Sequence, residues 1–508
     1  MFITELLSRA AWRWPTRTAV LDDEGALTFA QLRDEVFRLA NALRGLGLTA
    51  GERVLDLQAN AVAYVVTDLA IPSAGLVRVP LNARLALQDL EHIARDAGAR
   101  AIVYGPEHRE LAGELVERVP GVEIRIGTGD GELGRRLGDL IAAGAATRPG
   151  HRAQAGDLVS LNYSSGTTGR PKGCMRTARN RYISAQDVLL SLFEQGFGPD
   201  DAYLHAGPIT HASGLLVLPA IAAGATQRIL RRFDPERVLA ALASGDATAT
   251  VLVPTMLERV MAVAEAQPAP PAFDRLNAVI YAGSPMAPAR VRVARELFHG
   301  NLLQFYGLVE AIPPLTVLDR AAHADDELLG SAGRPALGVQ VDVVDDDGRR
   351  VAPGEVGEVA VSGDHVMAGY WGNRGADGKT LRGGTLRTGD MGRQDERGYV
   401  HLIDRRGDMI ITGGYNVYPR EIEDVLRSAA GVADVAVVGV PHADWGQAVT
   451  AYVVPRPGAE LTAERLRALC GERLASFKKP KDLHFVDELP KTAIGKIDRK
   501  ALRSGAIR

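Results

Sequence analysis

Cysteine, lysine and long apolar runs are what this 508-residue chain has least of. With only Cys174 and Cys470 present, a disulfide framework or a cysteine-rich metal centre is excluded. No apolar run reaches the roughly 18 residues of a membrane helix, so no membrane span is expected. Met1 to Ala11 lack a basic stretch followed by an apolar core. No secretory signal is expected either, and the chain reads as a cytoplasmic globular protein. An excess of one charge is also missing. At a net charge of -3, nothing global attracts a nucleic acid, and no nucleic-acid partner is expected.

What is present is enough for more than one core. The chain is 46% hydrophobic and 24% charged, and its length is three to four times the roughly 150 residues of a typical domain. Of its 59 basic residues only 8 are lysine. Six of those lysines fall between Lys478 and Lys500. A solvated basic tail and a small unit facing something anionic both account for this cluster.

Leu32, Val36, Leu39, Leu43 and Leu46 recur at helical spacing and predict a helix that ends at Gly47. Strand-like runs at Val77 to Leu81 and Ala101 to Tyr104 bracket a second helix, Leu87 to Ala97. This alternation predicts α/β architecture with a largely parallel sheet. It restarts with Leu158 to Tyr163, Ala202 to His205, Thr250 to Val253, Ala278 to Tyr281 and Leu302 to Tyr306. From about 338 to 403, short alternating strands with Asp347-Gly348 and Gly363-Asp364 turns predict a β-rich section. Near Asp404 the texture changes again. Helices at Pro419 to Ala430 and Thr462 to Leu474, with strands at Ala433 to Val440 and Thr450 to Val454, predict a compact α+β unit of about 100 residues.

The strongest local pattern follows the apolar strand at Leu158. It reads Tyr163-Ser164-Ser165-Gly166-Thr167-Thr168-Gly169-Arg170-Pro171-Lys172-Gly173. Small residues let a backbone approach an anion closely, and their N–H groups and hydroxyls can bond phosphate oxygens. Lys172 adds a positive charge and is the only lysine in the first 378 residues. The P-loop pattern fails, because Pro171 precedes the lysine and Gly173 follows it. Gly45-Leu46-Gly47-Leu48-Thr49-Ala50 also fails as a dinucleotide fingerprint, since it follows a helix rather than a strand.

The Ser/Thr/Gly loop resembles that of the adenylate-forming superfamily: acyl-CoA synthetases, nonribosomal peptide synthetase adenylation domains and luciferases. Further matches lie in the family's order at Pro208 to Gly214, Gln304 to Glu310, Leu386 to Asp390, Asp404 to Glu423 and Pro490 to Leu502. The pattern is closest to acyl- or aryl-CoA ligases. The resemblance implies a large N-terminal domain, 1–404, of two α/β subdomains and a β-barrel-like part. A small mobile α+β domain, 405–508, would carry the catalytic lysine.

The implied reaction has two halves. A carboxylate attacks the α-phosphate of ATP with magnesium, releasing pyrophosphate and forming an acyl-adenylate. A thiol, from coenzyme A or a carrier-protein phosphopantetheine, then displaces AMP. By resemblance, Ser164, Ser165, Gly166, Thr167, Thr168, Gly169 and Lys172 hold phosphates, with Thr167 and Glu310 serving the metal. Gly283, Ser284, Pro285, Tyr306 and Gly307 pack on the nucleotide, while Asp390 and Arg405 contact its ribose. Lys496 bridges carboxylate and α-phosphate, and His211 contacts the carboxylate. His211, Gly214, Tyr281, Gly283, Phe305 and Val309 line the acid pocket. Gly413, Gly414, Trp445, Lys479 and Lys481 would receive the pantetheine arm, and Gly407 would be the hinge.

Three positions depart from the family pattern. Val309 replaces a threonine, which removes a hydroxyl that could bond phosphate and costs about 0.5–1.5 kcal/mol. Gly407 stands where Lys or Asp is usual and frees the backbone. Thr210 stands where an aromatic residue commonly precedes His211 and so widens the pocket. No aspartate lies in 208–214 to hold an ammonium, so a neutral aryl, alicyclic or aliphatic acid, bulky or hydrophobic, is expected over an amino acid. Two alternatives accompany the acyl-CoA synthetase reading. One is a stand-alone enzyme loading a carrier protein. The other is a half-reaction or acyl-adenylate-binding protein with weak thioester formation. Neither the identity of the acid nor the oligomeric state is legible in the sequence.

Overall fold

The computed structural model describes residues 2–129, 133–164, 170–442, 444–492 and 497–504. The chain forms two compact units. The first comprises 1–341, 360–388 and 398–400, and the second 342–359, 389–397 and 401–508. The predicted α/β class, with a large N-terminal and a small C-terminal part, is what is found.

Two sheets build the first unit. The nine-stranded one runs Arg334–Pro335, Ala311–Leu318, Leu302–Leu308, Ala278–Ala282, Ala249–Leu252, Ala202–His205, Thr226–Ile229, Thr18–Leu21, Ala26–Thr28. Its inner strands pair in parallel. Ala249–Leu252 and Ala278–Ala282 are buried along their whole length, which is why they read as unbroken apolar runs rather than alternating ones. The seven-stranded sheet runs Arg135–Arg136, Ile124–Gly127, Ala99–Tyr104, Arg53–Leu57, Val77–Pro80, Leu158–Ser164, Lys172–Thr177. Only its last pair is antiparallel.

Helices cover the sheets where the periodicity places them. Helix Phe29–Gly45 starts at Thr28, whose side chain accepts from the Gln31 N–H while Gln31 reaches back to the Thr28 N–H, a reciprocal cap. It buries Leu32, Val36, Leu39 and Leu43. Helix Leu87–Ala97 stops at Gly98, which takes the left-handed conformation (φ 58°) that glycine reaches without a Cβ penalty. Strand Ala311–Leu318 has no counterpart among the elements read from the sequence, and its Pro313-Pro314 pair is unusual in a strand interior. It survives next to the sheet's edge, with its apolar residues buried.

In the second unit the long antiparallel pair Val432–His442 and Gly446–Pro455 carries Ile410–Thr412, Tyr415–Val417 and Asp482–Phe485. Helices Pro419–Arg427 and Ala463–Arg473 close one core of Ile410, Val417, Ile422, Leu426, Val435, Val449 and Leu466. The β-rich section forms a five-stranded sheet of Val339–Val344, Gly357–Gly363, Thr385–Gln394, Leu381–Arg382 and Val400–Arg405, whose residues are divided between the units. It also holds a helix the sequence did not suggest, Arg374–Thr380. Among the described residues no helix is long and apolar enough to cross a membrane.

Candidate active site

The Ser/Thr/Gly loop connects two antiparallel strands, with Ser164 opposite Lys172. Residues 165–169, which include Ser165, Gly166, Thr167, Thr168 and Gly169, lie outside the described residues. The strand pair is fastened on both sides. His92 Nε2 lies 3.1 Å from the Pro171 carbonyl, Tyr163 donates to Asp96 at 2.6 Å, and the Trp371 N–H donates to the Gly173 carbonyl at 2.8 Å. A cleft opens beside Lys172, lined also by Asp96, Arg170 and Asn373.

Lys172 is tied to Glu310 through one aromatic residue. Its ammonium stands 5.3 Å from the Tyr370 ring centroid, within cation–π range. The Tyr370 hydroxyl donates to Glu310 Oε1 at 3.1 Å. Burial, reinforced by Glu310, pushes the Tyr370 phenol up, so it stays protonated and remains a donor. The Met367 N–H donates to the Glu310 carbonyl and fixes the backbone as well. Among the described residues no group of three His, Cys, Asp or Glu could hold a metal. The Glu310 carboxylate, joined to Lys172 through Tyr370, is nevertheless of a kind that suits magnesium, which takes one or two carboxylates and completes its shell with substrate phosphates and water.

The 208–214 loop sits at the end of strand Ala202–His205. Asn60 anchors it by donating to the Gly207 carbonyl at 2.8 Å and accepting from the Ile209 N–H at 2.9 Å. Buried His205 holds Ser213 Oγ at 3.0 Å and Gln227 Oε1 at 3.1 Å. His211 is exposed, with Nδ1 2.8 Å from Thr210 Oγ1. Gly214 is required sterically, since a Cβ there would meet the Ile209 carbonyl oxygen at 2.0 Å.

Burial pulls the His205 imidazole down from 6.5 to about 4, and burial does the same to His323. Between those values the unfolded chain binds protons that the folded chain refuses. The contribution to stability is therefore complete above pH 6.5 and is lost as pH falls toward 4. Melting temperature should decline over that interval, and His205→Gln should flatten the decline. An unchanged slope in the variant would assign it to other groups.

The predicted acid-pocket residues are not all brought together. Gly283 (φ 91°), Ser284 and Pro285 are exposed after strand Ala278–Ala282. Phe305 packs with Ile280, Ala282 and Leu303. Tyr281 points to the opposite face, because side chains alternate along a strand, and its hydroxyl meets His323 at 3.2 Å. Val309 packs against Cys174, Met367 and Tyr370, on the Lys172 side. The side chains of Tyr281 and Val309 thus belong to two other clusters. Tyr306 is buried, and Gly307 lies so close to Pro313 that a Cβ would meet its ring at 2.5 Å.

In the second unit, Arg405 Nε lies 2.6 Å from buried Asp390, which orients the acid predicted to meet the ribose. A Cβ at Gly407 would meet nothing. Gly413 (φ 55°) lies against Trp445, to whose carbonyl it donates. Gly414 is open, and the Lys481 ammonium stands 4.4 Å from the Trp445 ring centroid. Lys479 lies apart from these, against Gly471 on helix Ala463–Arg473. Lys496 lies outside the described residues.

Sequence reasoning missed Tyr370, Asn60 and His205. A histidine ending the apolar run Ala202 to His205 was the available hint for the last. Nothing local marks the other two, whose partners are 60 or more residues away.

The family model for AMP-binding enzymes matches residues 7–371, and the model for the AMP-binding enzyme C-terminal domain matches 421–496. A feruloyl-CoA synthase of an Amycolatopsis species is 38% identical over 498 residues, covering 97% of each chain. A fatty acid–[acyl-carrier-protein] ligase of Streptomyces coeruleorubidus is 34% identical over 498 residues, covering 96% of this chain and 93% of its own. The structure of an amide bond synthetase from Marinactinospora thermotolerans shares the fold with a TM-score of 0.89 at 33% identity, covering 99% of both chains.

Proposed function

Since this chain belongs to the AMP-binding enzyme family, we propose that it is an ATP-dependent acid–thiol ligase making acyl-CoA through an acyl-adenylate. The observation that carries this reading is the Lys172–Tyr370–Glu310 connection. It places a cation and a hard anionic ligand on either side of one rigid ring, next to a loop of small residues.

The first half-reaction joins two anions, so the site must supply positive charge and N–H donors where negative charge gathers. Lys172 and the 164–169 loop hold the β- and γ-phosphates. Glu310 would hold magnesium, which when bound would supply positive charge to the phosphates. Asp390, oriented by Arg405, accepts from the ribose hydroxyls. Lys496 is assigned the role of bridging the attacking carboxylate and the α-phosphate, as the family resemblance implies. As the carboxylate oxygen bonds to phosphorus, the bond to pyrophosphate breaks. In the second half-reaction a thiolate attacks the acyl carbon and AMP leaves with the bonding pair. Residues 405–508 turn about Gly407 between the halves, and that role is supported by the open space where its Cβ would be, with none of the described residues within 4 Å. Gly413, Gly414 and Trp445 line the pantetheine path.

The acid is a bulky or hydrophobic one, since no acidic side chain lies in 208–214 to hold an ammonium. Coenzyme A is the acceptor. Carrier-protein phosphopantetheine is the second reading, favoured by the carrier-protein ligase among the relatives and by the exposed Trp445–Lys481 pair. A compartment supplying ATP and coenzyme A, the cytoplasm, suits either acceptor. Pyrophosphate exchange across aryl, alicyclic and aliphatic acids tests the first half. Mass spectrometry with coenzyme A, holo carrier protein and a simple amine then identifies the acceptor. Exchange with no acid would refute the ligase assignment, and product with the carrier alone would replace coenzyme A.

A further inference from the structure

Side chains alternate along a strand, so Lys172, Cys174 and Arg176 share one face of Lys172–Thr177. Their partners across the strand pair are Ser164, Asn162 and Ser160. The backbone positions of Lys172 and Arg176 are thus about 13 Å apart along one face, at roughly 3.3 Å per residue. Between them lies Cys174, packed with Tyr370, the residue that holds Glu310.

Arg176 is the unusual member of this row. Two other largely buried arginines of the first unit have counter-charges, Arg78 between Asp56 and Asp68 and Arg181 on Asp68, whereas Arg320 resembles Arg176 in bonding a neutral carbonyl, that of Asn277. Arg176 has one neutral partner, the Val309 carbonyl, to which Nη2 donates at 3.1 Å. Its Nε is buried and unpaired among the described residues. Burial draws its pKa down to about 10, against the smaller attraction of Cys174 and Glu310. The residue as a whole is only partly buried. A cation that burial disfavours more than the nearby Glu310 carboxylate attracts it gains when a further anion arrives.

We propose that Arg176 is a second anion anchor of the active site, binding an anionic oxygen of the reactants at the end of the row opposite Lys172. This rests on the ligase reading above. The oxygen belongs either to a phosphate of ATP or to a second anionic group on the acid, and both present the same chemistry to a guanidinium.

Arg176→Met and Arg176→Lys distinguish an anchor from a strut for Val309. Michaelis constants in pyrophosphate exchange are measured for ATP, for monocarboxylic acids and for acids bearing a second anionic group. Melting temperature without ligands is measured alongside. An anchor predicts that Arg176→Met melts no lower than wild type, because an unpaired buried charge has gone. It also predicts at least a fivefold rise in one reactant's Michaelis constant, with kcat within threefold and an intermediate value in Arg176→Lys. A rise for ATP assigns a phosphate, and a rise confined to the doubly anionic acids assigns the substrate. Constants all within fivefold overturn the proposal, whatever the melting temperature. Failure of wild type with every acid would count against the ligase reading instead. Equal melting shifts in wild type and Arg176→Met, both with ATP and with each doubly anionic acid, would then overturn the anchor on their own.

Discussion

Lys496→Ala is expected to slow acyl-adenylate formation roughly 100- to 1000-fold, as removal of one fixed donor at a developing oxyanion does. The reason is electrostatic. A carboxylate must approach an α-phosphate that already carries negative charge, and charge on the bridging oxygen grows as pyrophosphate departs. A cation that meets the reactants chiefly in the transition state lowers that barrier without tightening the ground state, so the loss should fall on kcat more than on the Michaelis constants. The thioester half-reaction has no such encounter, since a thiolate meets a mixed anhydride whose phosphate is already the leaving group. Acyl-adenylate supplied ready-made should therefore still give acyl-CoA with Lys496→Ala at near wild-type rate. The check is single-turnover product formation from acid plus ATP and, separately, from synthetic acyl-adenylate. Equal losses in both would show that the residue serves the fold or the acceptor rather than the first step.

Much of this frame was legible in the sequence, and the failures have common causes. Helix Leu87–Ala97 was read with its observed ends because its apolar spacing and terminal glycine agree. Strand Ala202–His205 was equally plain. The strand through Pro313-Pro314 was hidden because local preference and tertiary context disagree there. Tyr281 and Phe305 were grouped as one wall, yet they stand on adjacent strands with side chains on opposite faces, a distinction of register. Lys479 and Lys481 read as one cluster, but the fold sends one to Gly471 and the other to Trp445. The Lys172–Tyr370–Glu310 connection joins residues 60 to 198 positions apart, and no local pattern encodes such a contact.

Glu310→Gln tests that connection and should have the second-largest effect, about 100-fold or more in pyrophosphate exchange at ordinary magnesium. Loss of even an outer-shell partner of a metal costs about 10- to 100-fold, and on the proposed reading the carboxylate is a direct ligand. Glutamine keeps the shape and a carbonyl oxygen but removes the charge that holds a hard cation. Raising magnesium should therefore recover part of the rate in Glu310→Gln and little in Lys496→Ala. Tyr370 separates charge from positioning. Tyr370→Phe keeps the ring beneath Lys172 and removes only the hydrogen bond at Glu310 Oε1, a loss of about 0.5–1.5 kcal/mol or roughly 2- to 13-fold. It should shift the magnesium titration in the same direction as Glu310→Gln. Tyr370→Leu also removes the cation–π contact, about 0.5–2 kcal/mol, and should weaken ATP binding in addition. If Tyr370→Phe leaves the magnesium dependence unchanged, the hydroxyl does not orient the carboxylate and the connection is packing alone. If Glu310→Gln matches wild type at every magnesium concentration, some other group holds the ion and the assignment of Glu310 fails.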